Sequence, residues 1–591
     1  MRKLPAWPLF PFLCTLLMAE QPPLPQPAAL AITHVTVIDT AGGPALPDIT
    51  VVLAGGRITA IAAKGRVPKG VPAIDGRGKF LIPGLWDMHV HLDYTDYLPL
   101  FVANGVTGVR VMWGKPEYKD WQKQIDSGQL IGPRMFVGSA IVDGPKPYWP
   151  ASVSVSSEAE ARQAVIDAKK SGADFVKVYQ FLPRDLYLDI ADESKKQGIP
   201  FEGHVPISVT AEEASRAGQK SFEHLVGVLP AVSTRSGELF EAAQQDLADG
   251  MKTRQRFWGK HSAKLRDEML AGYSEEKAAA LSAELKRNGT WQCPTLTLLH
   301  MFGYGDDPAF LADPRMKYMP PAIKSYWDPS RVDGKRTPED FAYMKREFQK
   351  DLEVVGAMQR AGVGILAGTD TQNPYSFYGF SLHDELGFLS QAGLTPMQAL
   401  QAATVNPARF FGVEKDFGTV ERGKVADLVL LNANPLEKIS NTQKIFAVVY
   451  RGKLLDRAAL DGILAKAEGL AARPQIGEVL AKTIQAQGIE AAIQQYRELN
   501  AKSPEAYDFG EDQFISLGYD LIRQKQYKEA IAILRLGVDG FPNSYNAYDS
   551  LGEAYMDNGD KELAIENYKK SVQLNPGNAN GVAMLKKLNA Q

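Results

Sequence analysis

Histidine and aspartate side chains recur at the ends of apolar, strand-like runs, and such side chains bind divalent metal ions. His89 and His91 are separated by one residue, so in a strand both imidazoles point to the same side. His204, His224 and Asp370 each end another run. A lone strand histidine is more often a core residue, but a cluster of buried polar groups needs a common partner, because unpaired ones cost free energy. Imidazole and carboxylate without thiolate favour zinc or a similar ion.

A lysine occupies the same kind of position. Lys177 lies within the apolar run 175–180. Burial and nearby positive charge would lower the pKa of its amine, and a neutral amine can react with carbon dioxide to give a carbamate, an anion able to bridge two metals. The alternative is a protonated lysine paired with Asp174 or with a substrate carboxylate. The residues alone leave these two readings open.

Strand-like runs alternate with helical stretches between residues 80 and 412. Eight such units predict an α/β fold, a (β/α)₈ barrel of the TIM type, whose active site lies at the carboxyl ends of the strands. The metal-binding candidates all lie in or end predicted strands, so we expect them to meet at that face. The predicted strands are 81–91, 106–113, 134–140, 175–180, 200–205, 220–225, 292–297 and 363–369.

Short alternating segments flank the barrel and predict a small sheet domain. They span residues 30–80 and 415–460, on either side of a barrel at 81–414. Pairing of the two into one β-sandwich would bring the ends of the barrel segment together. Two long connections, 231–288 and 301–345, follow predicted strands on the active-site face. Segments there are lids or substrate walls, or plain helical decoration.

The C-terminal region repeats itself with a period of 34 residues, and Leu517-Gly518, for example, recurs as Leu551-Gly552. This period resembles that of tetratricopeptide repeats. It predicts an all-α domain at 506–591, after a helical linker or degenerate repeat at 461–505. Stacked helix pairs leave a concave surface that can bind a protein partner or a second copy. The alternative is a stabilising cap on the barrel without a ligand.

The motif PGLWDMHVH at residues 83–91 resembles the opening signature of the amidohydrolase superfamily. The lysine, two histidines and aspartate follow in the order in which superfamily members carry them on the fourth, fifth, sixth and eighth strands. The segments GLTPMQALQAATVNPARFFG and GTVERGKVADLVLLNANPL, from Gly393 onward, are also similar. The resemblance covers residues 30–460 and favours the branch of Xaa-Pro dipeptidases and imidazolonepropionase-like proteins.

This resemblance implies a centre of two divalent metal ions, for which zinc suits the ligand types. Lys177, carboxylated on its side-chain nitrogen, would bridge both metals, as in binuclear members of the branch. A hydroxide activated by the two metals would attack the carbonyl, and Asp370 would pass its proton to the leaving group. The implied ligands are His89, His91 and Asp370 for the first metal, and His204 and His224 for the second.

Several other side chains are weaker candidates. Tyr179 could donate a hydrogen bond to an oxyanion as a catalytic residue, or fill a barrel layer. His383 could line the pocket as a catalytic residue, or begin a helix. Arg110 could bind a substrate carboxylate or form a helix-facing salt bridge. Tyr148 and Trp149 could wall the pocket or pack a loop.

The N-terminus has the pattern of a secretory signal peptide. Arg2 and Lys3 precede an apolar run that ends at Met18, so residues 1–19 would be removed and a Pro-rich lead-in would remain at 20–29. The run is short and broken by prolines, which argues against a stable membrane span after signal removal. The sequence therefore predicts an exported protein, periplasmic or secreted. An uncleaved anchor is the alternative.

Composition sets few further limits. The 591 residues are 45% hydrophobic and 23% charged, which is ordinary for a globular protein. A formal net charge of −3 gives no field that would attract nucleic acid. The chain has two cysteines, and Cys14 would leave with the signal peptide, so no intrachain disulfide is expected.

These observations favour a metal-dependent hydrolase that cleaves an amide-type C–N bond in a small molecule or peptide, such as an Xaa-Pro-like dipeptide or a cyclic amide. One alternative is a mononuclear deaminase or cyclic-imidate hydrolase, against which Lys177 argues, because mononuclear members usually lack that lysine. Another is an inactive scaffold that binds partners through its repeats, against which the complete ligand set argues. The substrate itself depends on loops that the sequence does not place.

Overall fold

A computed structural model describes residues 29–149, 151–250, 259–310, 312–327, 336–575 and 577–589. The predicted signal peptide, and the lead-in up to residue 28, lie outside this part of the chain. Within it, no helix combines the length and the apolar character that crossing a membrane would require.

The central element is a nearly closed barrel of seven parallel strands, arranged in chain order. An irregular segment takes the eighth position, where Ile365 bridges to the seventh strand and Thr371 bridges to the first. The short strand Val153–Ser154 pairs beside the third strand. The seven strands are Leu85–Val90, Val106–Val111, Arg134–Asp143, Phe175–Val178, Phe201–Gly203, Ser221–Glu223 and Trp291–Cys293.

The predicted strand 81–91 is in fact two strands that belong to different sheets. Phe80–Pro83 pairs within the flanking sheet, whereas Leu85–Val90 opens the barrel. Gly84 lies between them, and a Cβ there would be 2.1 Å from the Thr107 hydroxyl oxygen. The chain therefore changes sheets at a residue where only glycine fits.

The predicted eighth strand, 363–369, does not form a regular ladder because its backbone bonds go to different neighbours. The Leu366 N–H donates to the carbonyl of Gln292, while the Ala367 N–H donates to the carbonyl of Ala402. The barrel thus closes through a segment that is bonded partly to a strand and partly to the end of helix Pro396–Ala402.

Both flanking segments contribute to one continuous eight-stranded sheet, so they pair as predicted. A bridge between Arg57 and Val425 connects its N-terminal edge to the C-terminal segment. Side chains of both segments, among them Val35, Leu81 and Leu428, share one core. Across the sheet the strands are Lys453–Leu455, Ile445–Tyr450, Leu428–Leu431, Phe80–Pro83, Leu30–Val37, Leu46–Ala54 and Arg57–Ala63, with Ala73–Asp75 beside Leu30–Val37.

Helices surround the barrel, and local signals set their ends. In helix Pro338–Ala361, Thr337 and Asp340 form a capping box, and Gly362 ends the helix at φ 85°, a conformation that glycine adopts readily. The helices of this region are Pro99–Ala103, Tyr118–Ser127, Glu158–Lys170, Arg184–Gln197, Ala211–Arg216, Val228–Ala231, Ser236–Ala248, Arg266–Ala271, Glu275–Asn288, Leu296–Tyr304, Pro321–Tyr326, Pro338–Ala361, Phe380–Gln391, Pro396–Ala402 and Val405–Phe411. Much of the two long connections is therefore helical.

The C-terminal region is all-helical. Its first helix, Arg457–Ala471, crosses the predicted boundary at residue 460 and packs on the barrel, because Leu460 and Ala467 join the barrel core. The next helices stack in pairs around cores of their own. The tail helices are Arg457–Ala471, Ile476–Gln487, Ile489–Lys502, Glu511–Arg523, Tyr527–Gly540, Tyr545–Asn558, Lys561–Leu574 and Ala579–Asn589.

The repeats approach the barrel near its carboxyl-terminal face. Burial raises the pKa of Tyr94, and the carboxylates of Asp512 and Asp508 raise it further. Tyr94 lies in the loop that follows the first barrel strand. The start of helix Glu511–Arg523 therefore lies beside that loop.

The close helix crossing at Gly518 gives a testable prediction. A Cβ at this position would lie 2.6 Å from Cγ of buried Leu534, so Gly518→Ala should lower the stability of the repeats by about 1–3 kcal/mol through overpacking. Gly462 is a matched control, since it is helical, exposed and has no atom within 4 Å of an added Cβ. Gly462→Ala should stabilise by up to about 1 kcal/mol. Urea unfolding followed by circular dichroism measures both, and equal effects would contradict the packing.

Candidate metal centre

The predicted ligands converge at the carboxyl ends of the barrel strands. His89 lies in the first strand, Lys177 in the fourth, and His204 and His224 directly follow the fifth and sixth, while Asp370 lies in the closing segment. Asp370 is 5% exposed and Lys177 is 1% exposed. The structure therefore brings the charged residues together away from bulk water.

The carboxylate of Asp370 lies at the middle of the histidine cluster. Its Oδ1 is 3.0 Å from Nε2 of His91 and 3.4 Å from Nε2 of His89, and its Oδ2 is 3.8 Å from Nδ1 of His224. Ligand atoms of His89, His224 and Asp370 all lie within 4.8 Å of one another. This spacing suits a shared metal ion.

His204 and Lys177 extend the cluster on one side. The His204 and His224 ring centroids are 4.9 Å apart. Burial lowers the pKa of Lys177 to about 8. Burial also lowers the pKa of His204 well below its usual value, with Lys177 adding to that effect. The residues predicted for the second metal thus adjoin those predicted for the first.

A buried ionic network beneath the centre fixes the orientation of His89. Its Nδ1–H donates to Oε2 of Glu223 at 2.7 Å, which leaves Nε2 facing Asp370. Arg110 donates to Glu223 at 2.8 Å, to Glu202 at 2.7 Å and to the carbonyl of Met88 at 2.6 Å. Burial raises the pKa of Glu223, but Arg110 and His89 lower it far more, so this carboxylate stays charged.

The donor atoms fit a divalent metal. The Nδ1 atoms of His91 and His204 are buried and have no hydrogen-bond partner among the described residues, a costly arrangement unless another group binds there. Cys293 also lies near His89 and Glu223. Burial, however, raises the pKa of its thiol well above the usual value, which disfavours the thiolate that binds metal. The donor set is therefore imidazole and carboxylate.

Two of the ligand positions have left-handed backbone. His224 has φ 59° and Asp370 has φ 57°. Such conformations cost about 1–3 kcal/mol for residues other than glycine and cluster at functional sites. Gly368 allows the closing segment to approach, since a Cβ there would lie 2.9 Å from Cβ of His89.

An aromatic wall borders the centre on the side of His204. The ring of Tyr179 lies 4.0 Å from that of His204, and the Trp149 indole N–H donates to the Tyr179 hydroxyl oxygen at 3.0 Å. Trp113 and Tyr148 each pack against Trp149. Because Tyr179 accepts this bond, its own proton remains available to donate.

The site roles of two weaker candidates require correction, while the alternative for His383 is confirmed, since it lies in the first turn of helix Phe380–Gln391. Both ring nitrogens of His383 are bonded, to the Thr442 hydroxyl at 2.9 Å and to the Asn104 carbonyl at 3.0 Å. Asn104 precedes the second barrel strand, so His383 lies at the end of the barrel opposite the centre and does not line the site. Arg110 makes neither of the predicted contacts, because its partners are the glutamates inside the barrel.

Sequence reasoning missed Glu223 and Asp87. Strand alternation places Glu223 and His224 on opposite faces, but the left-handed turn at His224 directs both side chains inward. Asp87 holds the closing segment by accepting bonds from the Thr369 N–H at 3.0 Å and hydroxyl at 2.7 Å. The sequence signal that could have identified Asp87 was its spacing of two residues from His89.

Comparison with known proteins identifies the class to which this fold and centre belong. The profile of the amidohydrolase family matches residues 80–455, which is more than half of the chain. The chain therefore belongs to the amidohydrolase family. A tetratricopeptide repeat profile matches residues 545–578, in agreement with the predicted repeats.

Particular relatives share shorter stretches. A 5-methylthioadenosine/S-adenosylhomocysteine deaminase of Moorella thermoacetica is 32% identical over 124 residues, which are 20% of this chain and 29% of the relative. An imidazolonepropionase of Shouchella clausii is 40% identical over 82 residues, 13% of this chain and 17% of the relative. The matches thus span less than a third of the length of these curated relatives.

Solved structures align over far more of the chain. A bottromycin amidohydrolase has a TM-score of 0.61 and 25% identity, covering 76% of this chain and 91% of its own. A Xaa-Pro dipeptidase with bound methionine in the active site has a TM-score of 0.53 and 19% identity, covering 73% and 100%. The second likeness concerns the fold alone.

The bond between Glu223 and His89 gives the second prediction. Glu223→Gln removes the charge that orients the imidazole, so divalent metal affinity should fall by about 10–100-fold. Zinc titration in competition with a chromogenic chelator measures this affinity. Glu202→Gln is the control, because Glu202 contacts Arg110 but not the histidine. A similar loss in both variants would indicate general disruption of the barrel rather than a specific effect on His89.

Proposed function

We propose that this protein is an exported hydrolase that uses two divalent metal ions, most simply zinc, to cleave an amide-type C–N bond. The observation that carries the proposal is the convergence of all the predicted ligands at one buried centre. When bound, such metals lower the pKa of a water molecule and polarise a carbonyl. His89, His91 and Asp370 would hold one ion, and His204 and His224 the other.

Lys177 is proposed to bridge the two ions as a carbamate. Burial lowers the pKa of its amine to about 8, so a substantial fraction is neutral near neutral pH and able to react with carbon dioxide. The product would carry a negative charge among histidines, where an ammonium group would repel metal. Besides burial, the charge of the Lys177 ammonium lowers the pKa of both His89 and His204, one member of each proposed ligand group, and this supports the bridging role.

Asp370 and Tyr179 have the proton-transfer roles in this proposal. Burial raises the pKa of Asp370, but His89 and His224 lower it well below its usual range, so the carboxylate is available to accept a proton and pass it to the leaving nitrogen. Tyr179 keeps its proton, because burial raises its pKa well above the usual value. It would donate to the carbonyl oxygen as negative charge develops there.

The proposed substrate is a peptide fragment, an Xaa-Pro-like dipeptide or a cyclic amide outside the cytoplasm. The signal-like N-terminus supports that location, and the imidazolonepropionase among the curated relatives supports the bond type. The repeats are proposed to bind a protein partner or a second copy.

A mononuclear deaminase is the second candidate. The compact group of His89, His224 and Asp370 could serve one metal ion, and a deaminase is among the curated relatives. A centre with one metal ion would not need Lys177 as a bridge, so this residue distinguishes the two candidate functions.

Metal counting with Lys177→Ala tests the two-metal centre. The parent protein, purified without chelator, should contain two metal ions per chain by elemental analysis, and the variant fewer, with loss of dipeptide and lactam hydrolysis. Lys220→Ala is the control, since Lys220 is also in the barrel but packs over Phe410 at the amino end of its strand. One metal in the parent, unchanged by Lys177→Ala, would rule out the binuclear centre and favour deaminase substrates.

Tyr179→Phe tests the proposed donor. It removes one hydrogen bond to the developing oxyanion, so kcat should fall by about 10²–10³-fold while KM changes little. Tyr148→Phe is the matched control, as its ring lies beside that of Tyr179 at 6.0 Å. Steady-state kinetics on the best dipeptide of the panel measures both, and an unchanged kcat in Tyr179→Phe would remove this residue from the reaction.

A further inference from the structure

A cavity of about 250 Å³ lies among the loops that follow the fifth and sixth barrel strands and the helices packed against them. Two of its walls are the loops that follow the fifth and sixth barrel strands. Val205 and Leu225 line it, and each directly follows a predicted ligand, His204 or His224. The loops touch each other, since a Cβ at Gly227 would lie 3.3 Å from Val205. The cavity therefore begins one residue away from two metal-binding positions.

The chemistry of the lining is mostly apolar. Besides Val205 and Leu225, the barrel loops contribute side chains such as Ile207 and Leu229. A cavity of about 150 Å³ lined by aliphatic and aromatic side chains suffices to hold benzene. The volume here is enough for an aliphatic or aromatic side chain of leucine or phenylalanine size.

The third wall comes from the long connection after the sixth strand. Helix Ser236–Ala248 contributes Leu239, Phe240 and Ala243, and Met269 follows from the next helix. The one buried carboxylate in the lining is that of Glu347, 4% exposed, and it accepts a bond from the Tyr343 hydroxyl at 3.4 Å. The Ser262 hydroxyl in the lining also has a partner, because it donates to Asp246, so the apolar surface is the main contact for a ligand.

We propose that this cavity binds the apolar group next to the scissile bond and makes the enzyme selective for substrates with a bulky aliphatic or aromatic residue there. The selectivity rests on the proposed amide hydrolysis. Val205 and Leu225 are bonded in the chain to the candidate ligands His204 and His224, so the cavity adjoins the loops that would hold a substrate at the centre. Helix Ser236–Ala248, within the connection 231–288, accordingly serves as a substrate wall.

Filling the cavity tests the proposal. Ala243→Trp places an indole in the cavity from a half-buried helix position, whereas Ala248→Trp, exposed at the end of the same helix, is the control. The substrates are a matched pair of Xaa-Pro dipeptides with leucine or glycine as Xaa. The parent should favour leucine by roughly tenfold or more in kcat/KM, and Ala243→Trp should abolish that preference with glycine turnover retained. Phe240→Ser, which makes the wall polar, should show the same selective loss.

A binding measurement separates the cavity from the chemistry. Benzyl alcohol contains no bond that the enzyme would hydrolyse, and saturation-transfer NMR on the full-length protein should show contact that Ala243→Trp removes and Ala248→Trp keeps. If Ala243→Trp loses this contact but the parent hydrolyses no dipeptide, the cavity proposal would stand and the proposed reaction would be overturned. The cavity proposal alone would be overturned if the parent hydrolyses the dipeptides and its preference for leucine is unchanged in Ala243→Trp and Phe240→Ser. The same holds if these variants lower kcat/KM equally for both substrates.

Discussion

The candidate metal centre depends on how the barrel closes, and the hydrogen bonds between Asp87 and Thr369 reinforce the few backbone bonds that hold the irregular eighth segment to the first strand. The Asp87 carboxylate accepts from both the N–H and the hydroxyl of Thr369, and the Asp370 N–H then donates to the His89 carbonyl at 2.8 Å. Burial raises the pKa of Asp87 to about 7, a cost that these bonds offset in part. Together these bonds hold Asp370 beside the histidines. The irregular backbone is thus a requirement of the site, since a regular strand could not combine this pairing with the left-handed turn at Asp370.

Charge in the barrel is arranged in two layers along its axis. In the lower layer, Arg110 is compensated by Glu202 and Glu223. In the upper layer, Asp370 faces several histidines and Lys177, and basic groups outnumber the acid. Removing one partner of a buried pair costs about 3–5 kcal/mol because a charge is left uncompensated, so the lower layer needs all of its members while it orients His89. The upper layer contains the Nδ1 atoms of His91 and His204, which have no hydrogen-bond partner among the described residues and are available to bind a cation.

The ligands and the barrel could be predicted because both follow from strand periodicity and from a specific motif. The supporting residues could not, because they depend on local departures from periodicity. Glu223 could not be predicted because the positive φ of His224 breaks the alternation of side chains by which residues are assigned to one face of a strand. His383 shows a different limit of the sequence. It follows the last barrel segment in the chain, but it lies at the end of the barrel opposite the candidate metal centre. The sequence likewise gives no sign that 81–91 divides at Gly84, because both halves are apolar and extended.

The C-terminal repeats and the connection after the sixth strand are additions to the barrel, and they border opposite sides of its carboxyl-terminal face. In a ring of eight units the first and fifth positions are opposite, so the loop of Tyr94 lies across the centre from Val205. The repeats approach the first of these loops with the carboxylates of Asp508 and Asp512, whereas the connection 231–288 borders the second with apolar side chains. The repeats thus bring carboxylates to one side of this face, and helix Ser236–Ala248 brings apolar side chains to the other. A dipeptide with a free amino group and a bulky side chain matches that polarity, which a neutral cyclic amide lacks, so the architecture outside the centre favours the peptide among the proposed substrates.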